Sequence, residues 1–374
     1  MIPFNEASLV GHEIENVLEA LKRGHISGDG PFTKKCHAML EEVVGGKALL
    51  TTSCTHALEM TALLLDLEPG DEFIVPSFTF VSTVNAFVLR GARPVFVDVR
   101  PDTLNLDERL LARRLNPRVK AIVPVHYAGV GCEMDEIMRV ADEHGVPVIE
   151  DNAHGLFGRY RGRALGSFGT FSTLSFHETK NISCGEGGAL IINDAKYLAR
   201  AEILREKGTN RSAFFRGQID KYGWVDVGSS FLPSEILAAF LHAQLSAYEA
   251  VQTKRRQVWE RYAERLALWA QRRDVRLPHV PPHSAHPYHM FYLLMRSLEQ
   301  RQAFIAHMKA RGVQTVFHYL PLHLSEMGKR FGGRAGDCPV TEDVSDRLVR
   351  LPLYVGLTDG EQETILDAVH AFSG

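Results

Sequence analysis

Cysteine is scarce and scattered. Cys36, Cys54, Cys132, Cys184 and Cys338 are the five in 374 residues, and no two stand in C-x-x-C spacing. That excludes a disulfide framework and a thiolate zinc site, and a reducing cytoplasm is the compartment that fits. Long apolar runs are also missing: no stretch approaches the roughly 18 residues needed to cross a bilayer. The first residues, Met-Ile-Pro-Phe-Asn-Glu-Ala, hold no basic region ahead of an apolar core, so neither export nor a membrane partner is expected. Nor is there a block of one charge. The net charge is -3 and the pI about 6.6, with lysines and arginines spread along the chain, which gives no field for nucleic acid. The segment from Pro278 to His289 is rich in proline and histidine but has no carboxylate or cysteine at ligand spacing; it reads as a loop, and no metal is expected. Repeats and low-complexity tracts are absent.

What is there is an ordinary globular composition, 45% hydrophobic and 23% charged, long enough for a large core. Helical spacing runs over Glu13 to Arg23 and Thr33 to Val44. Short apolar runs then alternate with amphipathic segments: Ala48 to Thr52, Glu72 to Pro76, Pro94 to Val99, Ala121 to Val125, Val146 to Asp151, Phe171 to Phe176 and Ala189 to Asn193. Helical stretches such as Ala57 to Leu67 and Met134 to His144 lie between many of them. The pattern predicts an α/β fold with a seven-stranded, mostly parallel sheet covered on both faces. A long periodic segment, Leu245 to Arg272, predicts a helix leading into a smaller C-terminal α+β domain, so the expected division is 1–244 and 245–374.

Ligands of such sheets bind beyond the carboxyl ends of the strands, and two of those ends carry chemistry. The run Phe171 to Phe176 is followed by His-Glu-Thr-Lys-Asn and then Gly-Glu-Gly-Gly, which delivers Lys180 at a strand end where the backbone can bend. The run Val146 to Asp151 ends in a carboxylate. An amine at one strand end and a carboxylate at another is the pair that pyridoxal phosphate requires, the amine to bind it covalently and the carboxylate to keep its ring nitrogen protonated. Between a strand and a helix, Thr51-Thr52-Ser53-Cys54-Thr55 supplies hydroxyl residues. Capping accounts for them, and the same helix N-terminus is a seat for phosphate.

The chain resembles the nucleotide-sugar aminotransferases of the DegT family, pyridoxal-phosphate enzymes of fold type I. The likeness runs from Ile2-Pro3-Phe4 through Ser-Phe-His-x-Thr-Lys-Asn and Gly-Glu-Gly-Gly to Tyr319-Leu320-Pro321-Leu322-His323. Val123-Pro124-Val125-His126-Tyr127-Ala128-Gly129 is shared with the wider family. Gly208-Thr209-Asn210-Arg211-Ser212, Phe214-Phe215-Arg216-Gly217-Gln218 and Asp226-Val227-Gly228-Ser229-Ser230 resemble the branch that makes dTDP-4-amino-4,6-dideoxygalactose.

The resemblance implies roles. Lys180 is the catalytic amine; Asp151 pairs with the ring nitrogen; Phe80 stacks on the ring; Cys54, Thr55 and Ser175 hold the phosphate. His154 stands where many relatives have a glutamine beside the phenolic oxygen, and Ser230 where many have an asparagine that reaches the neighbouring subunit's phosphate. That contact implies a homodimer with active sites shared between subunits. Arg211, Arg216 and Lys221 suit a loop over a nucleotide diphosphate, and His318, Tyr319 and His323, with Lys221 and Tyr222 of that loop, are candidates for holding the sugar. The implied reaction takes an amine from L-glutamate and places it on C4 of dTDP-4-keto-6-deoxyglucose, in cell-surface polysaccharide synthesis such as lipopolysaccharide or enterobacterial common antigen. Rival readings are an enzyme making the 4-amino-4,6-dideoxyglucose epimer, a dehydratase of the same family, whose members replace the lysine with histidine, and a non-catalytic sensor, which would have lost Lys180 or Asp151.

Overall fold

The computed structural model describes residues 1–374. The seven apolar runs become β1 (Lys47–Thr51), β2 (Glu72–Pro76), β3 (Arg93–Val97), β4 (Val119–Ile122), β5 (Ile149–Asp151), β6 (Phe171–Ser175) and β7 (Gly188–Ile192). One ladder runs β1-β7-β6-β5 and another β3-β2-β4. Parallel bridges from Ile122 to Val148 and from Val125 to Asp151 join them edge to edge. The sheet is parallel except at β7, which lies antiparallel to both β1 and β6. No crossover helix separates β6 from β7, and without one a chain can return beside its own strand only in the opposite direction.

Alternation along the strands feeds both faces. Leu49, Phe73, Val75, Leu190 and Ile192 enter one core, while Ala48, Leu50, Leu174, Ala189 and Ile191 enter another, so neither face is left to water. An N-terminal arm carries α1 (Glu13–Lys22), and α2 (Pro31–Val44) follows it. The second begins earlier than its apolar spacing predicts, because Pro31 is pre-set for a first helical turn and the Glu235 carboxylate accepts from Phe32 N at 2.9 Å and Thr33 N at 2.8 Å. Next come α3 (Cys54–Leu64), α4 (Ser82–Val88), α5 (Met134–His144), α6 (Leu198–Arg205), the short α7 (Arg211–Phe215) and α8 (Glu235–Ser246). The periodic segment predicted over Leu245 to Arg272 is interrupted at Ala247, and the long helix α9 spans Tyr248–Arg273.

Beyond it a three-stranded antiparallel sheet, β8 (Phe291–Leu294), β9 (Val316–Phe317) and β10 (Leu348–Leu351), has β10 in the middle. Val349 and Leu351 point into a core shared with α9, while Leu348 joins a cluster containing Phe78 and Tyr127 from the large sheet's loops. Residue 350 lies on the same side as Leu348, so β10 presents it toward the large sheet. No helix is long and apolar enough to cross a membrane, and no group of three or more His, Cys, Asp or Glu is placed to hold a metal ion.

Candidate active site

The loop after β6 is tied at its base. Phe176 N donates to Gly187 O at 2.8 Å, Glu178 N to Gly185 O at 2.9 Å and Lys180 N to His177 O at 2.9 Å. Asn181 pins it from the side, its Nδ2 donating to Pro287 O at 2.6 Å while its Oδ1 accepts from His289 Nδ1 at 2.9 Å. Gly188 lets β7 run against the start of α3, since a Cβ there would sit 2.3 Å from Ser53 C and 2.4 Å from Cys54 N. Ser53 caps α3, its Oγ accepting from His56 N at 3.1 Å, which leaves the amides of Cys54 and Thr55 at the helix mouth.

These parts surround a cavity of about 590 Å³ beyond the carboxyl ends of the parallel strands. Lys180 and Asp151 both line it, with Cys54, Thr55 and Ser175. Phe80, His154, His318 and Tyr319 complete the residues foreseen there.

Asp151 is buried. Its Oδ2 accepts from Thr83 Oγ1 at 2.7 Å and its Oδ1 from Ala153 N at 3.2 Å. Desolvation raises its carboxyl pKa, against the lowering by those two donors and by Lys180, so the site invites a cation. Desolvation pulls the Lys180 amine down to about 8, with Arg350 adding to the fall and Asp151 opposing it. Burial together with the charges of Lys180 and Arg350 holds His154 well below its usual range, so this imidazole is neutral. It stacks on His289 with ring centroids 4.3 Å apart, and its Nδ1 has no partner in the protein. His318 is neutral for the same reasons. Arg350 Nη1 donates to His318 Nε2 at 2.7 Å, which assigns the ring proton to Nδ1, facing the Tyr127 hydroxyl at 3.4 Å.

A family model, the DegT/DnrJ/EryC1/StrS aminotransferase family, matches residues 8–370. The chain belongs to this family. It is 31% identical over 377 residues to the spore coat polysaccharide biosynthesis protein SpsC of Bacillus subtilis, covering 98% of this chain and 96% of that one. Among solved structures it is similar to the aminotransferase TlmJ of Streptoalloteichus hindustanus, at 32% identity and a TM-score of 0.90, with 99% of this chain and 98% of that one covered. It is also similar to the putative sugar aminotransferase Spr1654 of Streptococcus pneumoniae in its PMP-form, at 27% identity and a TM-score of 0.92, with the same coverage. The fold is that of the pyridoxal-phosphate transferases of type I, and the protein is an aminotransferase.

Six of the residues foreseen for this aminotransferase do not reach the cavity of their own chain. His323 is fully buried, its Nδ1 2.6 Å from Ser77 Oγ and its Nε2 3.0 Å from Glu342 Oε1. The chain turns inward after Pro321, so His323 joins the loops beneath the site and cannot hold a sugar. Arg211, Arg216, Lys221, Tyr222 and Ser230 lie on the exposed 207–230 segment. There the two Nη atoms of Arg216 clasp the Glu202 carboxylate at 2.9 and 2.8 Å, and Arg211 stacks over Phe215. Ser230 bridges Glu206.

Sequence reasoning passed over four residues of this aminotransferase that the fold brings in: Thr83, which fixes Asp151, Asn181, which fixes the lysine loop, and His289 and Arg350, which line the cavity. Arg350 alone left a legible signal, a charge inside the apolar strand Leu-Val-Arg-Leu. His289 sits at the end of the segment read as a loop.

Proposed function

We propose that this aminotransferase carries pyridoxal phosphate on Lys180 and transfers an amine from L-glutamate to C4 of dTDP-4-keto-6-deoxyglucose, yielding dTDP-4-amino-4,6-dideoxygalactose. One observation carries the reading: Lys180, Asp151 and the open end of α3 meet in a single cavity. The residues fit the cofactor. Buried Asp151 lacks a cation and suits its ring nitrogen; the orphaned Nδ1 of His154 suits its phenolic oxygen; the amides of Cys54 and Thr55, with the Thr55 and Ser175 hydroxyls, suit its phosphate. Phe80 borders the cavity and offers an aromatic face on which the ring would stack. Spr1654 has been solved in both PLP- and PMP-forms.

Bound there, the cofactor supplies an electron sink that makes a proton on the amine-bearing carbon acidic. The chain's own groups do the rest. Lys180, with its pKa near 8, gives up or takes a proton close to neutrality and is matched to moving one at the substrate carbon. Asp151, oriented by Thr83 and Ala153, would supply the negative charge that pairs with the ring nitrogen. His318 and Tyr319, stacked at 3.8 Å, form a flat wall against which a sugar ring can lie.

A second copy of the chain completes the site in this reading. Arg211, Arg216, Lys221, Tyr222 and Ser230 do not line their own cavity and share an exposed segment with Phe215, Trp224, Val225 and Val227. An apolar rim around cations suits a dimer interface that closes over the partner's nucleotide. The branch assignment rests on the Gly-Thr-Asn-Arg-Ser and Asp-Val-Gly-Ser-Ser runs, and polysaccharide synthesis is the role named for SpsC. The test is incubation with glutamate and the keto sugar, followed by proton couplings of the product. A small H3–H4 coupling is expected; a large one shows the gluco epimer, and no amino sugar at all refutes the substrate.

A further inference from the structure

Four arginines are buried: Arg205, Arg255, Arg301 and Arg350. Arg205 pairs with Asp29 at 2.5 Å. Arg255 donates from Nε to Tyr288 O at 3.1 Å and from Nη2 to His289 O at 2.6 Å, and Arg301 donates to Ser345 O at 2.6 Å. The Nε atoms of Arg205 and Arg301 are unpartnered like that of Arg350, but Arg350 alone has neither a carboxylate nor a backbone carbonyl as a partner. Its one hydrogen bond goes to the neutral ring of His318, its Nε is buried without a partner, and no carboxylate lies within salt-bridge distance. The Phe4 ring of the N-terminal arm covers it at 4.6 Å, and it borders the cavity that holds Lys180.

A buried guanidinium without a counter-ion is costly, and burial does pull this one's pKa down. The carboxylates bordering the cavity do not relieve it: Asp151 is held by Thr83 and Ala153, and Glu186 faces solvent beside His177. The middle position of β10, between Tyr292 and Val316, keeps the side chain from swinging away to find another partner. The missing anion is therefore a ligand's.

We infer that Arg350 is the specificity residue for the amino donor, binding the carboxylate attached to the carbon that surrenders its amine. The inference rests on the aminotransferase reading of the cavity. The chemistry of the two substrates selects the donor. An amino acid's α-carboxylate is one bond from its reacting carbon, so a cation bordering the same cavity as Lys180 lies within its reach. The diphosphate of a nucleotide sugar hangs from C1, across the ring from C4. The cofactor's phosphate has its own seat at α3. A guanidinium is also the group best shaped for a carboxylate.

The half-reactions separate these sources. Purified Arg350→Gln and Arg350→Lys, loaded with pyridoxal phosphate, are mixed with glutamate, alanine or aspartate, and the loss of the bound cofactor's absorbance is followed. Loss of a charge-assisted contact raises the half-saturating glutamate concentration on the order of 30-fold in Arg350→Gln, and less in Arg350→Lys. Glutarate titrated calorimetrically into the same proteins weakens in parallel, a readout independent of turnover. Conversion of keto sugar by the pyridoxamine-loaded variants stays within about threefold of the parent. A loss confined to the sugar half-reaction would assign Arg350 to the diphosphate and overturn the inference, as would unchanged saturation by both substrates. A parent protein that reacts with no amino acid would remove the aminotransferase reading itself, and this inference with it.

Discussion

Replacing Asp151 with asparagine keeps the shape of the site and deletes one charge. The structural cost is small. Thr83 Oγ1 now donates to Oδ2 and lies 2.9 Å from Thr79 Oγ1, so its hydroxyl can turn to donate there and accept from the new amide instead. Ala153 N keeps an acceptor if the amide oxygen takes the place of Oδ1. The folded carboxyl pKa is raised by desolvation, so the charge destabilises the cofactor-free fold as pH rises above the unfolded carboxylate's pKa. Cofactor-free Asp151→Asn therefore melts no lower than its parent at pH 7.

The catalytic cost is large. A carboxylate about 3 Å from a ring nitrogen, in a medium of effective dielectric about 20, stabilises the protonated ring by about 5 kcal/mol. Even if a neutral amide hydrogen bond recovers a third to a half of this, roughly 3 kcal/mol is lost, on the order of 100-fold in rate. The assay is single-turnover decay of the bound cofactor's absorbance with saturating glutamate, beside a melting curve to show that the fold and the cofactor are retained. Turnover within threefold of the parent would refute the electron-sink role assigned to Asp151.

Borohydride reduction and peptide mapping will label Lys180, and a label on another lysine would displace it. With its ammonium pKa lowered to about 8, the rate at which cofactor-free protein captures pyridoxal phosphate rises with pH and levels off just above 8; a rise continuing to pH 10 would show an ordinary, solvated amine. His154→Gln stays active and shifts the absorption of the bound cofactor, because only the hydrogen bond to the phenolic oxygen changes; complete loss of turnover would reveal a chemical role for the imidazole. Glu150→Gln loses about 3 kcal/mol by urea denaturation. The buried carboxylate accepts from Gly166 N, Phe168 N, Gly169 N and His126 Nε2 at 2.6 to 2.8 Å, and an amide turned either way confronts two of these donors with its own NH2 group. An unchanged midpoint would sink that account. Light scattering will give a dimer mass, and a monomer that is fully active would remove the shared-site proposal.

What could be read in advance and what could not divides along sequence distance. Lys180 and Asp151 were legible because each is fixed by its own strand: an apolar run, its end, and a polar residue there. The mouth of α3 was legible for the same reason, as a strand followed by hydroxyls and a helix. Thr83, His289 and Arg350 reach the same cavity through tertiary packing. Thr83 hydrogen-bonds Asp151 from 68 residues away, and no local pattern marks it. The helix Ala57 to Leu67 was placed three residues late because apolar spacing cannot see a cap, and the cap is what opens the amides of Cys54 and Thr55.

The misassignments have a different cause. The Phe-His-Tyr-Leu-Pro-Leu-His run places two histidines and a tyrosine within seven residues, and proximity along the chain suggested proximity in the site. Pro321 turns the backbone between them, so Tyr319 borders the cavity while His323 goes down to Ser77 and Glu342. The cations of the 207–230 segment stand together on one exposed loop outside their own cavity, and a sequence does not say which copy of the chain a loop serves. Arg350 is the instructive contrast. On β10 its neighbours Val349 and Leu351 face a core, and alternation forces residue 350 to the other side, toward the large sheet. A charge at that position needs polar partners, and the chain supplies only the neutral ring of His318. A lone arginine in an apolar strand is thus the same kind of signal as a lysine at a strand end, once the face it occupies is known.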